Sequence, residues 1–367
     1  MPGCCGCARR VRPYRLITSD ELLAPQGSWP SADTQLGEGG QGAVYRAKFA
    51  GRAVAVKRIP WDAWKTLRLS SLGDHYENKE LESLRRETAL LATLRHPNIV
   101  QLIGASFQAP HVYMVSELVT GPNGHHDLRH CLDDPQLADL LTATVRRKML
   151  RDVAAAGAYL HRAGVLHRDI KAANVLVDMQ GWNPGVSLAE LVCKLTDFGL
   201  SRKLPQRVDA AAGDADEGGD RGPFQSPLSR TVTRKFNFAS WLAPEIVNGE
   251  DYGRPSDVFS LGILGCVIIT GMSEDGIPRV PGQEFTLREE DGGDTFASAH
   301  MGSVDIDALR DVMRPLQLHR GSTQGAVVDL ALACLVDAPN ERPTMEQMER
   351  RLGEAVDEKT AASEDGP

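Results

Sequence analysis

The chain has 367 residues, 42% hydrophobic and 25% charged, with a formal net charge of -8 at pH 7. Such a composition suits a globular domain with a sizeable core. The acidic balance argues against nucleic acid as a main partner, because no basic excess exists to displace counterions.

The first 30 residues open with Cys4, Cys5 and Cys7 beside Arg9, Arg10 and Arg12 and then turn Pro- and Ser-rich. They read as a flexible tail without an apolar signal segment. A folded domain is expected over 31–357, divided into parts 31–119 and 120–357, with a second flexible tail over 358–367. Alternation predicts strands at Ala43–Phe49 and Arg52–Ile59, joined at Ala50-Gly51 as a hairpin. Leu81, Leu84, Leu90, Leu91 and Leu94 form a helical stripe over 78–94, stopped by His96-Pro97-Asn98. Two more strands are predicted over 99–107 and 112–118, then a long helix over 141–162 with Gly164 at its end. The rest reads as helices at 256–270, 326–335 and 344–355. Val258 to Thr270 is too short to span a membrane and reads as a buried helix. Residues 61–79, 206–227 and 284–302 are polar or Gly-rich and read as insertions or mobile loops. Of the seven cysteines, Cys131, Cys193, Cys266 and Cys334 stand singly, which suits reduced thiols in a cytosolic protein.

Two strings carry the chemistry. His167 to Asn174 reads HRDIKAAN and sets an acid, a cation and an amide at fixed spacing: Asp169, Lys171 and Asn174. Asp197-Phe198-Gly199 then adds a carboxylate. Upstream, LGEGGQGAVY spaces Gly37, Gly39 and Gly42 as GxGxxG, with Val44 two residues beyond. A strand follows these glycines, not a helix, which sets aside a dinucleotide site. Two strands joined by a glycine flap instead let backbone N–H groups approach phosphate oxygens. Lys57 ends VAVK on the next strand.

Together these strings resemble the eukaryotic protein kinases, over about residues 33–355. The resemblance implies an α+β, two-lobed fold, with a small β-rich N-lobe holding one helix and a larger, mainly helical C-lobe. It implies ATP, Mg²⁺ and protein substrates. Asp169 would orient the acceptor hydroxyl and take up its proton, Lys171 would offset charge on the moving phosphoryl group, and Asn174 and Asp197 would hold the metal. Glu87, nine residues before His96, would pair with Lys57 and fix it on the phosphates. Leu36, Gly37, Gly39 and Gly42 would cover the nucleotide. Adenine would lie between Val44 and Ala55 on one side and Leu176 on the other, bonded by backbone groups of Glu117 and Val119. Ser116 would be a small gatekeeper.

The same resemblance pairs Glu245, of Ala243-Pro244-Glu245, with Arg342. It has Asp257 hold the backbone around His167, and it stacks His167 and Phe198 in an apolar column with Leu91 and Leu102. Arg168, with Arg202 and Lys203, would gather positive charge for a phosphate on the segment before Glu245, with Thr231 or Thr233 favoured over Ser226 and Ser229. KLTDFGLSR and ACLVDAPNERPT are similar to the tyrosine-kinase-like group, and residues 241–263 with 271–285 to LIM-domain kinases and their testis-specific relatives. Lys171 resembles Ser/Thr enzymes. Asn237-Phe238 replaces the family's Gly-Thr pair, so a pseudokinase-like ATP-binding scaffold and dual or tyrosine specificity stay open as alternatives. Localisation is expected to be cytoplasmic. Cys4, Cys5 and Cys7 are open to three readings: an inert tail, acylation giving reversible membrane association, or a metal or redox pair.

Overall fold

The computed structural model describes residues 14–18, 21–22, 34–39, 42–60, 84–108, 111–121, 127–138, 140–180, 188, 190–204, 242–248, 250, 252–273, 276–278, 283–285, 299–301, 304–317 and 322–354. The chain divides into two compact units, residues 1–119 and 120–367. Among the described residues, the first is a β-sheet with a helix and the second is mainly helical, so the class is α+β.

In the first unit, β1 (Arg15–Leu16), β2 (Gln35–Gly39), β3 (Gly42–Phe49), β4 (Arg52–Pro60), β5 (Leu102–Gln108) and β6 (His111–Glu117) form one sheet in the order β1-β5-β6-β4-β3-β2. Every pairing is antiparallel except β1–β5. Ala50 (φ 49°) and Gly51 (φ 79°) both turn left-handed between β3 and β4. That geometry matches the right-handed twist of a two-residue hairpin. The two-residue alternation gives the sheet two faces. Ala47, Phe49, Val54, Val56, Tyr113 and Val115 pack with Ile17 and Leu22 as a core on one face. Helix α1 covers residues 84–91 and buries Leu84, Leu90 and Leu91.

The second unit begins with α2 (Leu128–Asp133), α3 (Pro135–Ala138) and α4 (Ala143–Arg162). Thr142 caps α4 by accepting from the Val145 N–H, and Gly164 (φ 68°) follows its end. Strands β7 (Val165–Leu166), β8 (Val175–Asp178), β9 (Val192–Leu195) and β10 (Arg202–Lys203) pair antiparallel as β8–β9 and β7–β10. After them come α5 (Pro244–Val247), α6 (Arg254–Thr270), β11 (Gln283–Phe285), β12 (Ala299–Met301), α7 (Ile306–Gln317), α8 (Thr323–Ala333) and α9 (Met345–Glu354). Residues 256–269 of α6 are all buried. Helix α4 packs against α6, α8, α9 and β9, which fixes the strands that carry the loop described below. Among the described residues no helix is long and apolar enough to cross a membrane.

Three expectations change. Arg15–Leu16 is a strand paired with β5, and Ile17 and Leu22 are buried, although the sequence placed 1–30 in a tail. Burying a side chain such as Ile17 gains roughly 1.5–3 kcal/mol, enough to hold a short segment. The helix expected to run to Leu94 stops at residue 91. There Thr93 turns its hydroxyl onto Leu90 O, and Arg95 satisfies the Ala92 and Leu94 carbonyls. Within the insertion expected over 284–302, β11 and β12 pair antiparallel. Of the other two, residues 61–79 and 206–227 lie outside the described residues, as do Cys4, Cys5 and Cys7.

Gly262 sets how closely α6 approaches α8 and its end. A Cβ there would lie 2.7 Å from Cys334 Cβ, 2.8 Å from Leu335 Cδ2 and 3.0 Å from Ala331 O. Gly262→Ala should therefore lower the urea midpoint of the folded chain by an equivalent of about 1–3 kcal/mol, as overpacking does; an unchanged midpoint would contradict this packing.

Candidate active site

The HRDIKAAN segment links β7 to β8, and its backbone is held from below by one carboxylate. Asp257 sits in the first turn of α6, fully buried. Its Oδ2 accepts from the His167 N–H at 2.9 Å and contacts His161 Nε2 at 2.9 Å. Its Oδ1 accepts from the Arg168 N–H at 2.8 Å and the Tyr252 hydroxyl at 3.1 Å. Burial alone would raise the Asp257 carboxyl. The hydrogen bonds and positive charge from His161, with His167 and the Arg168 amide, outweigh burial and hold it below the usual range.

His167 is buried and works in the other direction. Its Nδ1 accepts from the Asp169 N–H at 3.3 Å, so Nε2 carries the proton and donates to Thr196 O at 3.1 Å. Burial depresses its basicity, opposed by Asp257, Asp169 and Asp197, and the imidazole stays neutral. Its ring meets Phe198 edge-on at 4.9 Å. Ser201 Oγ donates to His167 O at 3.2 Å, a further tie between the two strings.

Asp169, Lys171 and Asn174 come together in one cluster. Asp169 Oδ2 accepts from Asn174 Nδ2 at 2.7 Å and lies 3.0 Å from Lys171 Nζ. Asn174 Nδ2 also donates to Asp169 O at 2.8 Å. Asp169 Oδ1 is buried and accepts no hydrogen bond among the described residues. The Thr196 N–H donates to Asn174 O at 2.9 Å, and Val175 pairs with Leu195. The β8–β9 hairpin thereby brings Asp197 beside Asn174. Asp197 is left-handed (φ 59°) and accepts from the Gly199 N–H at 3.3 Å. Asn174 and Asp197 offer oxygen donors, which suits a hard cation such as Mg²⁺. Leu176 lies on β8, half-buried.

Arg342 and Glu245 form a two-pronged pair at 2.8 Å on both sides, with Ser256 Oγ donating to Glu245 Oε1. The remaining Arg342 N–H groups reach Val336 O, Pro255 O and Asp337 O, and the guanidinium lies 5.0 Å over Phe259. Arg168 is different. It is buried with φ 72°, and its guanidinium lies 5.1 Å over the Tyr252 ring. Its Nε and Nη2 have no hydrogen-bond partner among the described residues. Burial, with nearby Arg202, makes it easier to deprotonate than an ordinary arginine.

In the first unit, directly paired residues share a sheet face. Val44 pairs with Lys57, Lys57 with Met114, and Ala55 with Ser116. Val44, Ala55, Lys57 and Ser116 therefore lie together on the face opposite the Val54–Val56 core, all partly exposed. Gly42 (φ 134°) ends the flap, and a Cβ there would fall 2.3 Å from Arg58 O. Only glycine fits. Leu36, Gly37 and Gly39 lie on β2. Glu87 is buried on α1. The Glu117 N–H donates to Gln101 O, and the Glu117 carboxylate accepts from the Gln101 N–H. Val119 follows, buried. Leu91 and Leu102 are buried in this unit too. Thr231, Thr233, Ser226, Ser229, Asn237 and Phe238 lie outside the described residues.

Sequence reasoning did not single out Tyr252, His161, Ser201 and Ser256. Tyr252 lies just before α6 and donates to Asp257, and Ser256 lies in the first turn of α6 and donates to Glu245. His161 is a polar residue at a buried position in the last turn of α4, which was the one available signal.

The protein kinase domain family matches residues 31–351. A probable serine/threonine-protein kinase of Dictyostelium discoideum is 30% identical over 311 residues, which is 84% of this chain and 26% of that protein. A mitogen-activated protein kinase kinase kinase of Pyricularia oryzae is 31% identical over 240 residues, 64% of this chain and 22% of the other. A cysteine-rich receptor-like protein kinase of Arabidopsis thaliana is 29% identical over 321 residues, 86% of this chain and 39% of the other. The chain thus spans well under half the length of these curated relatives.

Glu245→Ala leaves a buried Arg342 charge and should destabilise the chain by about 3–5 kcal/mol. The double replacement Glu245→Leu with Arg342→Met should recover most of that loss, since no charge is stranded. Urea unfolding of both variants checks it; equal losses in single and double variants would refute it.

Proposed function

Because the chain belongs to the protein kinase family, we propose that it transfers the γ-phosphoryl group of ATP to serine and threonine hydroxyls of protein substrates. One observation carries this: Asp169 has one oxygen held by Lys171 and Asn174, and the other buried and without a hydrogen-bond partner among the described residues. A buried carboxylate oxygen without a donor is costly. A substrate hydroxyl placed there would donate to it and be aimed at the phosphorus, with Asp169 taking up its proton. Lys171 would hold positive charge beside the same carboxylate as the phosphoryl group moves. Its place two residues after Asp169 supports the Ser/Thr reading. Asn174 and Asp197 would hold Mg²⁺, which when bound neutralises phosphate charge. Asn174 is already oriented for this, because its Nδ2 is bound to Asp169 and its amide oxygen is turned elsewhere. On the sheet, Lys57 would reach the phosphates with Glu87 as its partner. Val44 and Ala55 would cover adenine, with Leu176 on the other side. Glu117 and Val119 would bond its edge.

A scaffold that binds ATP without turnover is the second reading, and Phe238 is the feature that favours it. The two separate cleanly. Asp169→Asn should lower kcat by about 10²–10⁴ while the KM for ATP stays near the wild-type value. Phospho-amino-acid analysis of the product should show phosphoserine and phosphothreonine. Turnover unaffected by Asp169→Asn, or absent from the wild type, would overturn the assignment.

The finer placement is in the tyrosine-kinase-like group, resting on KLTDFGLSR and ACLVDAPNERPT, with LIM-domain and testis-specific kinases similar around α5 and α6. A cytoplasmic enzyme, with Cys4, Cys5 and Cys7 as acylation sites for reversible membrane association, is part of the same proposal. So is activation by phosphate. Arg168 supports it: its Nε and Nη2 have no hydrogen-bond partner among the described residues, and a phosphate would supply two acceptors to them. Thr231→Ala with Thr233→Ala should leave activity at the level of phosphatase-treated enzyme. Full activity in that double variant would remove the switch.

A further inference from the structure

The family match begins at residue 31, yet residues 14–18 and 21–22 are built into the first unit. Three attachments hold them. Backbone pairing runs parallel to β5, and the Ile17 N–H donates to Ala105 O at 3.0 Å. Ile17 (2% exposed) and Leu22 pack with Phe49, Val54, Val56 and Tyr113. The Arg15 guanidinium lies 4.7 Å over Phe49 and donates to Glu21 at 2.9 Å. Glu21 also accepts from the Thr18 N–H and hydroxyl, so the segment folds back on itself. The receiving strand is shaped for it: a Cβ on Gly104 would lie 2.6 Å from Ile17 Cδ1 and 2.7 Å from Arg15 O.

A fourth contact leads elsewhere. The Tyr14 ring lies 6.0 Å from the Phe107 ring, and the Arg85 guanidinium lies 5.7 Å over the same ring. Arg85 is on α1, two residues before Glu87. Phe107 pairs with Val112, and Val112 alternates with Met114, the partner of Lys57. Phe107 is thus on the Lys57 face, while Ile17 and Leu22 cover the opposite face. The segment grips both faces of the sheet edge, and one grip bears on the helix that carries Glu87.

We propose that residues 14–18 and 21–22 form a clip that positions α1, and with it Glu87, for ATP use, with Ile17 and Tyr14 as positioning residues. This rests on the kinase reading of Lys57 and Glu87. It makes the segment ahead of the kinase domain part of the working N-terminal unit. A partner or modification acting on the residues before the clip would change ATP affinity without touching the catalytic loop.

The test uses the full chain with Ile17→Asp, Gly104→Val and, as control, Leu16→Asp, whose side chain is 51% exposed. Ile17→Asp removes the anchor, and Gly104→Val blocks its seat while leaving the clip intact. Both should raise the KM for ATP about tenfold with a smaller change in kcat, since misplacing a binding group by about 1 Å costs on this scale or more. Both should also speed amide exchange at residues 84–91. Leu16→Asp should change neither. A peptide of residues 12–24 added in trans should restore ATP affinity to Ile17→Asp but not to Gly104→Val, which a general loss of stability would not reproduce. Wild-type KM and exchange in both variants, or variants slowed equally at all ATP concentrations and not rescued, would overturn the clip. Should the wild type transfer no phosphate, the kinase reading falls separately. The exchange at residues 84–91 and its reversal by the peptide then decide the clip alone.

Discussion

A single buried carboxylate, Asp257, underlies the geometry of the HRDIKAAN segment. Two consecutive amides, of His167 and Arg168, leave β7 with no strand partner and would each cost about 1–3 kcal/mol if buried unpaired. Asp257 takes both, one on each oxygen. The carboxylate is itself favoured where it lies, because it is in the first turn of a helix whose N-terminus carries partial positive charge. Its position is as firm as α6, and α6 is firm because nearly every residue of it is buried and Gly262 brings it against α8. The loop that carries Asp169 therefore inherits its precision from the buried core of α6.

That support allows strain to be held next door. Arg168 and Asp197 both have left-handed backbones, which for non-glycine residues cost on the order of 1–3 kcal/mol each. Neither is a loop tip. Arg168 is locked by its amide on Asp257, and Asp197 is followed by Phe198, whose ring is fixed against His167. His167 spans the two strained points, with one ring nitrogen on Asp169 N–H and the other on Thr196 O. It can do so only as a neutral imidazole, and its burial keeps it neutral.

What was legible in the sequence follows from how local each signal is. HRDIKAAN folds into a cluster within eight residues, so spacing alone placed Asp169, Lys171 and Asn174 together. The β3–β4 hairpin was legible because alternation and Ala50-Gly51 agree. The pairing of Glu245 with Arg342 spans 97 positions and came through family resemblance, not pattern. The clip was missed for the same reason inverted. Arg15–Leu16 is too short to alternate, lies beside Pro-rich sequence, and gains its stability from β5, nearly ninety residues away. The end of α1 was overrun because Leu94 continues the helical stripe, while the hydroxyl of Thr93 and the guanidinium of Arg95 redirect the backbone.

Two buried arginines differ in how fully their donors are satisfied. Arg342 places all of its donors on Glu245 and on three carbonyls, and its face on Phe259. Nothing is left for a ligand, so its role ends in holding α5 to the start of α6. Arg168 is equally buried and also lies over a ring, Tyr252, but two of its nitrogens have no partner among the described residues. Desolvating a charge and then leaving its donors unused is unfavourable unless an acceptor arrives. The penalty is borne next to Asp169 in the chain, on a backbone fixed by Asp257. Burial of the same side chain thus has opposite meanings at the two sites, and the count of satisfied donors tells them apart.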